Sequence, residues 1–446
     1  MTRPFTAVTT FAVVLLLLPV RAAAATAQEA APSNSEILRR IAALEAQLAE
    51  LKAQVQTQSA PAAQQAPLPV TPPADQHHDI TFGVGLDTYY MYNPARPLGR
   101  VNLLRAYDIT SNNFSLNQAS VILESPVDLK AGRRFGGRVD LQYGQATETL
   151  QGSLANEPRP WVYRNIFQAY GTYVAPLGSG LTVDFGKWAS SLGFEGNYTK
   201  DQINYSRSLY FNFLPFYHMG ARVNYQANDA VALHYWITNG TQQTENFNNF
   251  EDQSFGLVLK PTENVAWTTQ YYLGQEHPDV QVMPTPGAPA LPTQPGLSIV
   301  PVDPYFKGKL HIFDTYVSWQ ATPKTLVAAE ADYVISRNQA PAADSRVSGG
   351  AVFFRQQLTK AGAIGARAEY LDDRGGLFTG ASRKIAETTL TYDHRVADGF
   401  IVRSEWRRDV SSTPFFLTSE PGVLDKAQNT LGIGLVWWWG TKRDAW

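Results

Sequence analysis

The sequence contains no cysteine, few charged residues and no apolar run long enough for a membrane-spanning helix. Without cysteine, disulfide bonds cannot stabilise the fold, so stability must come from a large sheet. Charged residues make up 17% of the chain, against about 25% in ordinary soluble domains, whereas aromatic residues reach 12%. Only helices and closed barrels satisfy every backbone polar group in lipid. If this chain spans a membrane, it must do so as a β-barrel.

The first 27 residues have the order of a secretory signal peptide. Arg3 provides a positive charge, residues 11–18 an apolar core, and Ala25-Thr26-Ala27 a small-residue cleavage site. The apolar core is too short to remain as a membrane anchor. We therefore predict that residues 1–27 are removed from an exported chain. The full sequence has a formal net charge of −2, which becomes −4 without Arg3 and Arg21, and this balance gives no reason to expect a nucleic-acid partner.

A heptad pattern follows and predicts a coiled-coil helix over residues 33–57. The apolar positions are spaced alternately by four and three residues: Ile37, Ile41, Leu44, Leu48, Leu51 and Val55. Arg40 and Glu45 resemble a pattern of short trimeric coiled coils, which predicts a homotrimer. A solitary amphipathic helix is the alternative, because fewer than three heptads are present. Residues 58–79, rich in Pro, Ala and Gln, are predicted to form an extended linker.

The closing segment, residues 430–439, has two different faces when read with the period of a β-strand. One face is apolar and ends in tryptophans: Leu431, Ile433, Leu435, Trp437 and Trp439. An outer-membrane barrel strand turns such a face to lipid and places aromatic rings near the headgroups. The segment is predicted to be the last barrel strand, paired with the first. Residues 440–446 are then a C-terminal tail, unlike in the many barrels that end on an aromatic residue of the last strand.

Alternating segments recur from Ile80 onward, which predicts an all-β transmembrane barrel over residues 80–439 with about 16 antiparallel strands. The clearest segments are Ile80 to Tyr92, Phe135 to Tyr143, Leu181 to Phe185, Val231 to Ile237, Val265 to Leu273, Val327 to Ile335 and Ile364 to Tyr370. Long connections alternate with short turns, as in outer-membrane barrels. Both ends of the barrel fall on the short-turn side, so we predict that the coiled coil lies in the periplasm.

Charged residues alternate with apolar ones along several predicted strands. Arg138 and Asp140 flank Val139, and Arg367 and Glu369 flank Ala368. Such charges are too costly to bury singly, but a water-filled lumen would hydrate them. For any one of these residues, a hydrated wall position without a special role is the simpler interpretation.

Glycines share the predicted lumen side where the barrel closes: Gly83, Gly85, Gly432 and Gly434. Glycine in a strand often marks close approach by another backbone. A chain segment folded into the barrel is one prediction, and a bend of the wall is the equal alternative.

The third long connection, Ser190 to Phe216, mixes aromatic and charged residues densely. On an exposed loop, these aromatics would form an apolar patch facing water, so we predict that the loop folds into the barrel and narrows it. An outward loop making trimer contacts is the alternative. The candidate constriction residues are Glu195, Asp201 and Arg207 on the loop, with Arg138, Arg222, Arg367 and Arg403 on the facing wall.

Several motifs resemble those of the OmpL-like β-barrel porins. They are Gly193-Phe194-Glu195, Asn204-Tyr205-Ser206-Arg207-Ser208, Pro215-Phe216-Tyr217-His218-Met219-Gly220, Arg105-Ala106-Tyr107-Asp108, Phe114-Ser115-Leu116-Asn117 and Phe185-Gly186-Lys187. The resemblance covers most of residues 80–439. It implies an outer-membrane barrel that passes small solutes.

The leading functional hypothesis is therefore an outer-membrane porin, with lipid around it and small hydrophilic solutes or ions passing through a loop-constricted pore. A plugged-barrel adhesin or scaffold is the alternative. A barrel-embedded enzyme is less favoured, because no Gly-x-Ser-x-Gly element occurs and the histidines are scattered. We predict no catalytic residue, no cofactor and no metal ligand, since His77-His78 lacks a third ligand at useful spacing.

Overall fold

The computed structural model describes residues 80–151, 157, 160–284, 297–302, 307–337, 343–442 and 445–446. Sixteen antiparallel strands close into one barrel, so the predicted fold class and strand number are confirmed. The predicted signal peptide, coiled coil and linker lie outside the described residues. Among the residues described, no helix is long and apolar enough to cross a bilayer.

Twenty strands occur in the described residues, and sixteen of them form the barrel. In chain order they are β1 Thr81–Tyr92, β2 Phe114–Ser125, β3 Phe135–Tyr143, β4 Ile166–Ala175, β5 Leu181–Ala189, β6 Tyr217–Asn228, β7 Val231–Thr238, β8 Asp252–Thr262, β9 Val265–Gly274, β10 Val280–Pro284, β11 Leu297–Pro301, β12 Leu310–Thr322, β13 Thr325–Ser336, β14 Ser345–Gln357, β15 Gly362–Arg374, β16 Arg383–Ala397, β17 Phe400–Ser411, β18 Phe416–Leu417, β19 Leu424–Asp425 and β20 Ala427–Gly440.

The barrel closes between its first and last strands, as the sequence predicts. β1 pairs antiparallel with β20, in a register that sets Val84 opposite Trp439 and Gly83 opposite Gly440. This pairing leaves no open edge in the sheet, which is the requirement for crossing lipid with strands. The apolar face of β20 points outward, and Leu431, Ile433 and Trp439 each remain exposed.

Each longer connection is followed by a shorter one all around the barrel, which confirms the predicted alternation. Two of the long connections contain hairpins, β10–β11 and β18–β19, that the sequence analysis did not predict. The short helices also lie in long connections: Leu98–Arg100, Gln145–Gln151, Pro160–Tyr163, Thr199–Asp201 and Leu209–Phe213. The ends of β1 and β20 that lead to the chain termini both lie on the short-turn side.

β16 illustrates how the strands divide lumen from lipid. Glu387, Thr389 and Asp393 point inward and are buried, whereas the alternate residues Leu390 and Tyr392 are exposed on the outer surface. Inward residues of several strands are nearly inaccessible even though the sheet is closed around a lumen. Protein atoms rather than water therefore cover these inward residues.

Candidate functional site

The third long connection, residues 190–216, fills much of the lumen, and we refer to it as the inserted loop. Its polar groups bond to inward side chains of strands around most of the barrel. These bonds run from Gly193 N to Asp314, Phe194 N to Glu330, Leu209 N to Glu369, Asn204 Nδ2 to Thr391, Tyr205 N and Ser206 N to Glu405, Thr199 Oγ1 to Asp87 and Tyr198 Oη to Asp140. The prediction that this connection folds into the barrel is confirmed.

Apolar packing holds the inserted loop near the long-loop end of the barrel. Leu209, Tyr210 and Leu214 pack in one buried cluster with inward residues such as Ile312 and Leu371. Fully burying one such aliphatic side chain contributes about 1.5–3 kcal/mol. The helical turn at Leu209–Phe213 begins at Ser208, whose side chain accepts a hydrogen bond from Phe211 N. This cap satisfies a backbone donor that would otherwise be orphaned in the lumen.

Glu195 of the loop meets Arg367 of the wall in a buried cluster. Arg367 lies 3.1 Å from Glu195, 2.8 Å from Glu369 and 3.2 Å from Glu387, and it also donates to Ser206 O. The side chains of Arg367, Glu369 and Glu387 are fully buried. One cation thus holds three carboxylates from the loop and two strands.

Arg207 and Arg403 act mainly on the backbone of the inserted loop. Arg207 donates to the carbonyls of Gly196, Asn197 and Tyr205 and lies 4.9 Å from the centre of the Tyr107 ring. Arg403 binds both oxygens of Asp393 and donates to the carbonyls of Thr199, Gln202 and Asn204. Both arginines are buried. Their charge-assisted bonds satisfy carbonyls that an irregular loop leaves unpaired.

Arg138, Arg222 and Asp201 differ from the other four predicted residues because their side chains keep contact with the lumen space. Arg138 pairs with Asp140 at 2.8 Å, and Arg222 pairs with Asp184 at 2.7 Å. Their side chains are 11% and 20% exposed, and that of Asp201 is 24% exposed. The seven predicted residues therefore fall into two groups, a buried set between loop and wall and a hydrated set.

Two tyrosines fix the tip of the inserted loop. Tyr198 donates to Asp140 at 2.6 Å, and Tyr205 donates to Asp87 at 2.6 Å. Burial raises the pKa of both phenols well above the usual value, and the neighbouring carboxylates raise it further. Both hydroxyls are consequently protonated and remain hydrogen-bond donors.

The C-terminal tail also enters the lumen and meets the inserted loop. The Trp446 ring packs edge-on against Tyr198 at 5.5 Å, and Trp446 N donates to Asp201 at 3.0 Å. A Cβ built on Gly83 would lie 2.8 Å from this ring. Trp439 is therefore the last aromatic residue on the lipid face of β20, and Trp446 turns inward.

The predicted close approach at the glycines is confirmed at three of the four positions. Trp446 covers Gly83 and Gly85, and the ring of Tyr205 covers Gly434. Gly432 is the exception, because the side chain of Met91 on the neighbouring strand takes that space. The small inner face at the seam thus accommodates both the loop and the tail.

Sequence comparison agrees with this architecture. The family described as "Putative beta-barrel porin-2, OmpL-like" matches residues 79–437. The chain belongs to the OmpL-like family of β-barrel porins. This membership, together with the closed barrel, places the porin in the outer membrane. No curated protein is significantly similar to it in sequence.

Solved structures are similar to this porin at low sequence identity. The outer-membrane channel DcaP of Acinetobacter baumannii is 12% identical, with a TM-score of 0.50 over 81% of this chain and 96% of that one. An anion-selective porin from Comamonas acidovorans is 8% identical, with a TM-score of 0.49 over 81% of this chain and 99% of that one. OmpT of Vibrio cholerae is 12% identical, with a TM-score of 0.49, covering 81% and 97%.

The first long connection of the porin also turns inward, which the sequence analysis did not predict. Arg105 forms ion pairs with Asp108 at 3.1 Å and with Asp409 on β17 at 3.0 Å, and Tyr107 donates to Asn197 of the inserted loop. Burial raises the pKa of Asp108 to about 6, although Arg105 opposes the shift. The sequence offers one signal for this site, the charged pair Arg105 and Asp108 beside a tyrosine.

Space remains beside the inserted loop. A cavity of about 180 Å³ is lined by Phe216, where the loop joins β6, and by Trp446 of the C-terminal tail. Its lining mixes the polar residues Gln168, Glu195 and Asn197 with aromatic rings. A second cavity of about 190 Å³ lies at the loop tip. Its lining combines apolar residues with six charged ones: Lys200, Asp201, Arg355, Asp393, Arg395 and Arg403.

Proposed function

We propose that this porin lets small hydrophilic solutes and ions diffuse passively across the outer membrane, through a water-filled pore that the inserted loop narrows. The observation that carries the proposal is the hydrated space that remains beside the loop. The loop bonds to strands around most of the barrel, yet the side chains of Arg138, Arg222 and Asp201 stay 11%, 20% and 24% exposed, and a cavity of about 180 Å³ lies between loop and wall. A plug that sealed the lumen would bury these side chains.

The seven constriction residues have two roles under this proposal. One group fixes the position of the loop, because its charged groups are bonded to buried partners and do not face the water. It comprises Glu195, Arg207, Arg367 and Arg403. The other group faces the water in the pore and sets the electrostatic field that a passing ion meets. It comprises Asp201, Arg138 and Arg222. Arg138 and Arg222 lie on β3 and β6, on the wall that the loop leaves partly uncovered.

Deleting Thr199–Ser206 tests the loop directly. The deletion removes the tip that meets Asp87, Arg403 and Trp446, so single-channel conductance in a planar bilayer should rise. Removing Glu420–Gly422, an exposed stretch of another connection, is the control and should leave conductance unchanged.

The same recordings separate the alternatives. An intact protein without conductance that becomes a channel only after the deletion would favour the plugged adhesin or scaffold. If the intact protein and both deletion variants fold correctly and have equal conductance, the loop does not narrow the pore. Hydrolytic activity of the purified barrel on ester or peptide substrates would favour the enzyme.

We further propose that the porin is a homotrimer whose coiled coil, residues 33–57, lies in the periplasm. The heptad seam supports this, because three barrels held together would raise the local concentration of three short helices. Native mass spectrometry of the detergent-solubilised protein should show a trimer. Replacing Ile41 and Leu48 with Asp should weaken it, whereas Gln54→Asp outside the seam should not. An intact protein that is monomeric would contradict the proposal.

A further inference from the structure

Three carboxylates lie together on the wall behind the start of the inserted loop. Asp314 on β12 is directly opposite Asp332 on β13, and Glu330 is two residues from Asp332 on the same face. One oxygen from each of the three lies within 4.8 Å of the other two. All three side chains are buried, with at most 4% exposure.

The hydrogen bonds of this acid trio are incomplete. Gly193 N donates to Asp314 at 3.1 Å, and Phe194 N donates to Glu330 at 3.2 Å. The second oxygen of each of these acids and both oxygens of Asp332 have no hydrogen-bond partner among the described residues. Buried polar atoms are normally paired, so four orphaned oxygens in one place require a ligand or shared protons.

Several other buried carboxylates of the lumen have a cation, and others, such as Asp87 and Glu405, accept hydrogen bonds from three groups each, which sets the trio apart. Asp140 has Arg138, Glu387 has Arg367, and Asp393 has Arg403. Over the part of the chain that the structure describes, no lysine or arginine forms an ion pair with any member of the trio. Elsewhere arginines pair with the carboxylates that hold the loop. At the trio the described residues supply no arginine, and four carboxylate oxygens are left unpaired.

We propose that the acid trio binds one divalent cation of the calcium class. Calcium prefers carboxylate and carbonyl oxygens at about 2.3–2.6 Å, so oxygens on opposite sides of the ion are at most about 5 Å apart. The separations in the trio fit that limit. Magnesium is smaller and tends to keep several of its own waters, which a buried site accommodates poorly.

The bound ion would fasten the start of the inserted loop to β12 and β13. Asp314 and Glu330 each use one oxygen for a loop amide, and the other is free for the ion. The ion would thus anchor the loop to the wall at Gly193-Phe194, as Arg367 anchors it at Glu195. This inference does not depend on which solutes the pore passes.

The test uses full-length protein refolded in detergent with calcium chloride or with EDTA, because the finished loop covers the site. After removal of free ions, elemental analysis should find about one calcium per chain in the wild type. Asp332→Asn keeps the shape but removes one charge and should lower calcium affinity by about tenfold or more, since ligand charge tunes affinity. Asp372→Asn, which alters an acid paired with Arg374 near the rim, is the matched control and should retain calcium.

Urea unfolding with and without calcium provides the second measurement. If the ion binds, calcium raises the unfolding midpoint of the wild type and of Asp372→Asn by more than that of Asp332→Asn. If the acids only share protons, Asp332→Asn relieves crowding and is more stable than the wild type in both conditions. That result would overturn the proposal. So would a wild type that binds no calcium, or an Asp332→Asn variant that binds calcium as tightly as the wild type.

Discussion

Replacing Arg367 with methionine is expected to lower the free energy of unfolding by about 3–5 kcal/mol, the usual cost of removing one partner from a buried ion pair. Methionine preserves most of the side-chain volume, so the loss is chiefly that of charge and hydrogen bonds. Glu195, Glu369 and Glu387 would then face one another without the cation that lies 2.8–3.2 Å from them. Urea unfolding of the purified barrel measures the change.

Arg374→Met is the control for this experiment. Arg374 is on the same strand and also pairs with a carboxylate, Asp372, but its side chain is 74% exposed. Exposed pairs contribute little because water screens them, so unfolding should hardly change. Similar losses for the two variants would contradict the anchoring role of Arg367.

The second large effect is expected at the seam of the barrel. Gly434→Val adds a side chain where the Tyr205 ring lies, so the ring must move and its bond to Asp87 must lengthen or break. Forcing extra atoms into a packed site typically costs about 1–3 kcal/mol. The displaced loop tip should also change single-channel conductance.

Gly171→Val is the matched substitution, because nothing lies within 4 Å of a Cβ at this β4 glycine. It should fold normally and conduct like the wild type. If Gly434→Val did the same, the glycines at the seam would serve only to bend the wall.

The sequence predicts the barrel well because the two-residue period and the alternation of connections are local signals. The entry of the inserted loop is also predictable, since its aromatic density is incompatible with an exposed position. The split between anchoring and hydrated charges is not. Arg367 and Arg222 are both inward residues, and only the contacts that the folded loop makes bury one and leave the other 20% exposed.

Contacts between segments far apart in the chain could not be predicted from the sequence either, because they depend on how the folded segments pack. Trp446 reaches the loop tip from the end of the chain, and its own neighbours give no sign of an inward turn. The acid trio combines Asp314 with two residues of the next strand. Neither spacing nor periodicity reports which inward carboxylates lack a cation.

The central claim, that the loop lies inside an open barrel, is tested most directly by a cross-link between Ile203 of the loop and Gly365 of β15. The chain has no cysteine, so Ile203→Cys with Gly365→Cys introduces the only thiols. Ile203 Cγ2 lies 2.8 Å from a Cβ built on Gly365, within reach of a disulfide. Ile203→Cys with Ala366→Cys, whose second thiol lies on the outer face, is the control.

The predicted result is a disulfide in the Gly365→Cys pair but not in the Ala366→Cys pair, formed in intact outer membranes. Oxidised and reduced channels should then have the same conductance, because the bond holds the loop where it already lies. Absence of the cross-link, or a channel that conducts only after reduction, would contradict this structure of the pore.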